Sequence, residues 1–113
     1  MQSFMLLFWA PKNLLSEQRS PEQARDSGGK WHSWAEALNE AGHSVTGAQL
    51  QPGGVCVTAN KTVVDGTFAS DHVMGGYFVV SASSLAEATE LAKGCPVLQN
   101  GGTVEVRPII DAQ

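Results

Sequence analysis

At 113 residues the chain has the size of one domain, with room for a single core. Apolar residues make up 42% of it and charged residues 16%, which is typical of a globular chain and not of a disordered one. The formal net charge is −4, and the seven Lys and Arg residues form no cluster, so the sequence argues against binding to nucleic acid.

The N-terminal region predicts a buried strand and gives no sign of a targeting segment. Phe4 to Trp9 is apolar without alternation, a pattern typical of a strand covered on both faces. No basic region precedes this run and it is too short to cross a membrane, so we expect a cytoplasmic protein with no membrane partner. Cys56 and Cys95 are too few for a disulfide framework, and we expect both to be small buried hydrophobes.

The next segment predicts two helical stretches. Ser20-Pro21-Glu22-Gln23 is a helix start, with a serine cap, proline at the first position and glutamine reaching back. Gly28-Gly29 is expected to interrupt this helix. A second stretch ends at Gly42 and carries an apolar stripe made of Trp31, Trp34, Leu38 and Ala41.

A weak strand and a hairpin follow. Val45 to Leu50 predicts the weak strand. Val55 to Thr58 and Thr62 to Val64 are short β-rich runs around Ala59-Asn60-Lys61, which we interpret as a hairpin turn. Asp65-Gly66 is an alternative turn, but the first choice leaves flanking runs of similar length.

The last third of the sequence predicts strand, helix and strand. Tyr77 to Ala82 is a second continuous apolar strand. Ser84-Leu85-Ala86-Glu87 is a capping box that begins a helix, and Gly94 followed by Pro96 ends it. Thr103 to Arg107 alternates between apolar and polar residues, as a half-buried strand does.

This order of elements predicts an α+β fold, a ferredoxin-like βαββαβ arrangement with an inserted hairpin. Both helices should cover one face of the antiparallel sheet. Because the strand residues Phe4 to Trp9 and Tyr77 to Val80 are apolar on both sides, the uncovered face would expose a large apolar patch. We therefore expect a homodimer in which a second copy packs sheet against sheet.

Several segments together, in their order and spacing, resemble the YCII-related family, and within it the DGPF-domain branch. The segments are Phe4-Met5-Leu6-Leu7, Trp31-x-x-Trp34-x-x-x-Leu38-x-x-Ala41-Gly42, Gly47 through Leu50-x-Pro52, Val64-Asp65-Gly66-Thr67-Phe68, Gly75-Gly76-Tyr77, Leu85 to Ala92 and Val104-Glu105-Val106-Arg107-Pro108. The resemblance implies a dimeric α/β barrel built on the ferredoxin-like fold. It leaves the biochemical role open, because that of the family is mostly unassigned and related barrels include lyases, dehalogenases and monooxygenases.

The chain departs from the DGPF pattern at its central motif. Thr67 stands where the branch has proline, which makes the turn less rigid. Residues 70–73 replace the charged residues that usually follow the motif phenylalanine.

Asp65 and His72 are the predicted catalytic residues. The resemblance matches Asp65 to the motif aspartate, which could act as a general base or orient a substrate; the alternative is an Asx turn. His72 follows on what we expect to be a polar loop, where it could shuttle protons at neutral pH or be a solvated histidine. Neither residue has the neighbours of a metal site, so no metal is expected.

Arg107, Trp34 and Tyr77 are the predicted ligand-binding residues. Arg107 and Glu105 should point away from Val104 and Val106 and face the dimer side. Arg107 could bind an anion there or pair with Glu105. Trp34 could offer an aromatic platform or fill the core beneath its helix.

The sequence supports two functional hypotheses. One is an enzyme or binding protein for a small aromatic or acidic organic molecule, held in a cleft near Asp65. The other is a non-catalytic regulatory or interaction protein that binds another protein through its sheet surface and loops. The glycine pairs match neither a phosphate-binding loop nor a dinucleotide fingerprint, so no cofactor is indicated.

Overall fold

A computed structural model describes residues 1–11, 21–51, 53–65 and 72–110, with the backbone alone for 21–27, 64 and 65. The elements in chain order are β1 (Gln2–Pro11), α1 (Pro21–Glu40), β2 (Thr46–Gln49), β3 (Val55–Val57), β4 (Val63–Asp65), β5 (His72–Ala82), α2 (Leu85–Ala92), a 3₁₀ helix (Pro96–Asn100) and β6 (Thr103–Pro108).

Four of the strands form one antiparallel sheet in the order β2-β5-β1-β6. Among the described residues, β3 and β4 pair with each other in a separate two-stranded sheet. When this hairpin is set aside, the chain runs strand, helix, strand, strand, helix, strand. The predicted α+β class, with an inserted hairpin, is confirmed.

The core lies between one face of the sheet and the two helices. Alternate residues of β1 are buried on this face, and Phe4 and Leu6 have no exposed surface. Leu38 of α1 and Ala88 of α2 belong to the same buried cluster. Because both helices pack against this face, as predicted, the opposite face of the sheet is left without a helix.

Gly28-Gly29 does not interrupt the first helix, contrary to our expectation. α1 is continuous over twenty residues from Pro21 to Glu40. Each glycine costs a helix about 1 kcal/mol relative to alanine. Packing of the downstream tryptophans on the sheet offsets that cost, because Trp31 lies 4.8 Å from Phe8 and Trp34 stacks on Phe78 at 5.2 Å between ring centroids.

The end of α1 is set by Gly42, as predicted. Gly42 has a φ of 91°, which glycine adopts without steric cost. Its N–H donates to the Asn39 carbonyl, and the His43 N–H donates to the Leu38 carbonyl, both over 3.0 Å. These two bonds form a Schellman motif, which satisfies carbonyls that the helix end would otherwise leave unpaired.

The capping box that begins α2 is also confirmed. Ser84 Oγ accepts a 3.1 Å hydrogen bond from the Glu87 N–H. The Glu87 carboxylate reaches back to the N–H of Ser83 over 2.9 Å, one residue before the cap itself. Two N–H groups at the helix start are thereby satisfied.

β5 begins five residues earlier than the sequence predicts. The expected strand started at Tyr77, with His72 on a polar loop, but His72 is the first residue of β5 and pairs with Pro11. The strand passes Gly75 by a bulge, because Phe8 pairs with Gly76 while Trp9 pairs with Met74. Pairing with the long β1 therefore extends β5 through residues that carry little strand propensity.

The hairpin matches the preferred prediction. Val57 pairs with Val63, and the turn between them has an N–H to carbonyl bond of 2.8 Å from Lys61 to Thr58. Lys61 adopts a φ of 63°, which a tight turn requires. The turn that joins β3 and β4 therefore does not lie at the alternative position Asp65-Gly66, because Asp65 is the last paired residue of β4; Gly66 lies outside the described residues.

Candidate functional site

The face of the sheet without helices carries most of the predicted site residues. Paired residues in an antiparallel sheet point to the same face, so the strand register defines that face. We call it the open face. Its half-buried and exposed members are Ser3, Met5, Leu7, Trp9, Pro11, Thr46, Ala48, His72, Met74, Tyr77, Val79, Ser81, Thr103, Glu105 and Arg107.

Three side chains on the open face form a polar chain. The Trp9 indole nitrogen donates a 3.1 Å hydrogen bond to Oε1 of Glu105. Oε2 of the same carboxylate accepts a 3.3 Å bond from a guanidinium nitrogen of Arg107. Since the Arg107 side chain is 69% exposed and that of Glu105 41%, Arg107 keeps donors available for a ligand. Both parts of the Arg107 prediction, pairing with Glu105 and facing the uncovered side, agree with this geometry.

Tyr77 lies close to this polar chain. It pairs with Leu7 on one side, and Leu7 pairs with Glu105 on the other. Tyr77 and Glu105 are therefore two strands apart on one face, at a backbone spacing of about 10 Å. A ligand lying over Leu7 could contact both side chains.

His72 lies at the far end of the open face. It pairs with Pro11, whereas Arg107 pairs with Met5, six residues further along β1. At about 3.4 Å per residue the two positions are about 20 Å apart, too far for one small ligand to touch both within one copy. His72 Nε2 lies 3.2 Å from the Gly101 carbonyl, so this nitrogen carries the proton and donates it.

Asp65 belongs to a different sheet from Tyr77 and Arg107. Its backbone pairs with Val55 at the base of the hairpin. Its side chain falls outside the described part of the structure, so the catalytic role and the Asx turn both stay predictions. The described backbone does not place Asp65 on the open face of its own chain.

Trp34 lies on the helix side of the sheet. Its ring stacks on Phe78 with an interplanar angle of 20° and meets Phe8 edge-on at 5.9 Å. This supports the core interpretation and separates Trp34 from Tyr77 and Arg107 by the thickness of the sheet. One edge of Trp34 borders an open groove of about 530 Å³, whose lining also includes Lys30, Ser33 and Gln99.

The remaining groups offer structural roles. Burial raises the pKa of the Cys95 thiol to about 12, so Cys95 is a neutral buried hydrophobe at physiological pH, and Cys56 is half-buried. Within the described ranges, no three His, Cys, Asp or Glu side chains come together in a way that could hold a metal ion. No helix among those residues combines the length and hydrophobicity needed to span a bilayer.

Sequence reasoning missed Trp9 as a site residue and gave Glu105 only a pairing role. Trp9 was assigned to a strand buried on both faces, and nothing local distinguishes it from Phe8. The signal that could identify it is strand parity: Trp9 shares parity with Met5 and Leu7, and an indole needs a hydrogen-bond acceptor when buried.

Comparison with protein-family models matches residues 5–113 to the YCII-related domain. No curated protein matches the chain. The family match spans nearly the whole sequence, including both helices, all strands of the open face and the hairpin. The chain therefore belongs to the YCII-related family.

Proposed function

We propose that the protein is a homodimer of the DGPF type that binds and transforms a small acidic or aromatic molecule between two open faces. The observation that carries the proposal is the Trp9–Glu105–Arg107 chain, which lies beside the apolar side chains of Met5, Leu7 and Val79 on the open face. Small-molecule sites are typically built this way, with apolar walls and a few polar groups that orient the ligand. The cytoplasmic location stays a prediction from the sequence.

The composition of the open face supports the proposed dimer. Met5, Leu7 and Val79 are half-buried on it, although no helix of the described chain covers them. A contiguous apolar surface of this kind is typical of an interface. A second copy related by twofold symmetry would cover it with the same residues and give a ferredoxin-like dimeric α/β barrel.

Each polar group has a proposed role in the cleft. Arg107 binds a carboxylate of the ligand, because a guanidinium can donate two parallel hydrogen bonds to it. Glu105 holds the Arg107 side chain in place, and the Tyr77 phenol donates to or accepts from the ligand. Asp65 acts as the general base, whereas His72 lies too far along the open face to serve the same ligand as Arg107 within one copy.

Arg107→Met and Lys93→Met form a matched pair that tests the ligand hypothesis. Lys93 pairs with Glu90 on the surface of the chain and, as the residue that caps α2, is remote from the open face. Benzoate, 4-hydroxybenzoate and succinate are titrated against both variants in thermal-shift assays. We expect at least one of these carboxylates to raise the melting temperature of the wild type and of Lys93→Met but not that of Arg107→Met. If none does so while the protein is dimeric, the small-ligand proposal is wrong and the non-catalytic interaction protein is favoured.

Asp65→Asn separates the two interpretations of Asp65. If Asp65 is a general base or a ligand contact, Asp65→Asn should abolish ligand binding or turnover and change the melting temperature little. If Asp65 forms an Asx turn instead, the same substitution should lower the melting temperature and leave the affinity for the carboxylate unaltered. The second outcome would contradict the catalytic role.

A further inference from the structure

The β3–β4 hairpin, residues 55–65, which we call the arm, has an apolar surface that the described part of its own chain leaves exposed. Val55, Val57 and Val63 are 70%, 62% and 61% exposed. Val57 and Val63 are directly paired, and Val55 lies two residues from Val57, so the three valines share one face of the arm. Three valines on one face of a short hairpin make an unusually apolar exposed surface.

An isolated two-stranded hairpin is at best marginally stable in water. The arm has only three residue pairs, and its strands do not join the four-stranded sheet. Its base begins with Gly53 and Gly54, whose φ angles of 89° and 135° let the chain turn away from β2. The described residues of the chain give the arm little support, so a further surface would stabilise it.

The area that a stable dimer must bury indicates which surface supports the arm. The four strands contain 10, 4, 11 and 6 residues, which at about 3.4 Å per residue and about 4.8 Å between strands gives the open face a footprint of about 500 Å². A stable interface buries about 800 Å² on each partner. Two sheet faces alone fall short of this area, and the arm of each copy offers further exposed apolar surface.

We propose that the arm of each copy lies against the open face of a second copy and forms one wall of the ligand cleft. This inference rests on the proposed function and adds that each cleft is built from both chains. Twofold symmetry then gives two equivalent arm contacts. Asp65, at the base of the arm, is brought towards the partner face that carries Tyr77 and Arg107, which a single chain keeps on separate sheets.

The test compares three variants by sedimentation at micromolar concentration, with circular dichroism to confirm folding. Val57→Lys with Val63→Lys changes the arm, and Leu7→Lys changes the open face. Leu85→Lys with Leu98→Lys is the matched control, because it adds the same charge at residues that are 49% and 43% exposed on the helix side. We expect the arm variant to weaken dimerisation at least tenfold, Leu7→Lys to give monomers, and the control to change the dissociation constant less than twofold.

Hydrogen exchange supplies a second measurement on the unmodified protein. Amides of residues 55–65 should exchange at least tenfold more slowly above the dimer dissociation constant than below it. If Leu7→Lys abolishes the dimer while the arm variant dimerises like the wild type and arm exchange is independent of concentration, the arm contact is wrong and the sheet-to-sheet dimer stands. A wild-type mass of one chain, or a Leu7→Lys variant that dimerises normally, would overturn the proposed dimer and the arm contact with it.

Discussion

Trp9 and Glu105 are joined by a hydrogen bond of 3.1 Å, although they lie 96 residues apart in the chain. Trp9 pairs with Thr103 and Glu105 pairs with Leu7, so the bond runs diagonally between β1 and β6. It fixes the carboxylate with one oxygen towards the indole and the other towards Arg107. The orientation of Arg107 on the open face thus depends on a carboxylate that Trp9 holds in place through its other oxygen.

The Glu105–Arg107 pair should contribute little to the stability of a single chain. A double-mutant cycle with Glu105→Ala and Arg107→Ala, measured by urea unfolding in the Leu7→Lys background, should give a coupling of less than about 1 kcal/mol, because exposed ion pairs are screened by water. In the wild-type background the coupling should be larger, since a second copy removes water from the pair. Equal couplings in the two backgrounds would contradict burial of the pair between copies.

His43→Ala should destabilise the protein by about 1–3 kcal/mol, the cost of losing a buried hydrogen bond. The His43 ring is buried, and its Nδ1–H donates to the Ser81 carbonyl over 2.8 Å. The Ser81 N–H in turn donates to the His43 carbonyl over 2.7 Å, so the residue joins the end of α1 to β5.

His32→Ala is the control for this change, because the His32 side chain is 73% exposed and lies 3.3 Å from the exposed Glu36 carboxylate one turn along α1. We expect His32→Ala to lower the free energy of unfolding by no more than about 0.5 kcal/mol. Urea denaturation of both variants measures the difference, and equal losses would show that the His43–Ser81 bond has no stabilising role.

The stability of the fold should decline at alkaline pH because of Cys95. Its pKa rises from 9.0 to about 12 on folding, since burial disfavours the thiolate. The folded state keeps its proton where the unfolded state releases it, so this contribution is fully present below pH 9 and is lost progressively as the pH rises towards 12. The stability difference between wild type and Cys95→Ala should therefore shrink from pH 8 to pH 10.5, and a pH-independent difference would contradict burial of the thiol.

Gly28→Ala and Gly29→Ala should each stabilise the protein by about 0.5–1 kcal/mol, because alanine loses less conformational freedom in a helix. A Cβ at either position would meet no described atom within 4 Å.

Gly102→Ala should lower the free energy of unfolding by about 1–3 kcal/mol, because the added Cβ has no room. Its Cβ would lie 2.7 Å from the Trp9 carbonyl oxygen and would also clash with the Val97 side chain. Melting temperatures of the three variants measure these effects, and a destabilising Gly28→Ala would mean that another group approaches the helix there.

The elements that could be predicted are those specified by local chemistry. The Schellman end at Gly42, the capping box at Ser84 and the turn before Lys61 each depend on neighbouring residues, and all three were confirmed. The two errors arose where tertiary contacts outweigh local propensity. The tryptophans of α1 stabilise a helix through two glycines, and β1 extends β5 back to His72.

The site was less predictable than the fold, because it depends on which strands become neighbours. Alternation within β6 placed Arg107 and Glu105 on one face, and that placement agrees with the structure. The bond from Trp9 to Glu105 requires the register between the first and last strands, which no local pattern encodes. The separation of Asp65 from Tyr77 likewise depends on the hairpin forming its own sheet.

The strict alternation along β1 restricts how this protein can evolve. Phe4, Leu6 and Phe8 line the core, while Met5, Leu7 and Trp9 between them line the open face. Substitutions at the second set can change what the surface recognises without touching the packing beneath it. The loss or gain of one codon within β1 would exchange the two sets and damage fold and recognition together. New specificities should therefore arise in this strand by point substitution, and length changes should accumulate only outside it.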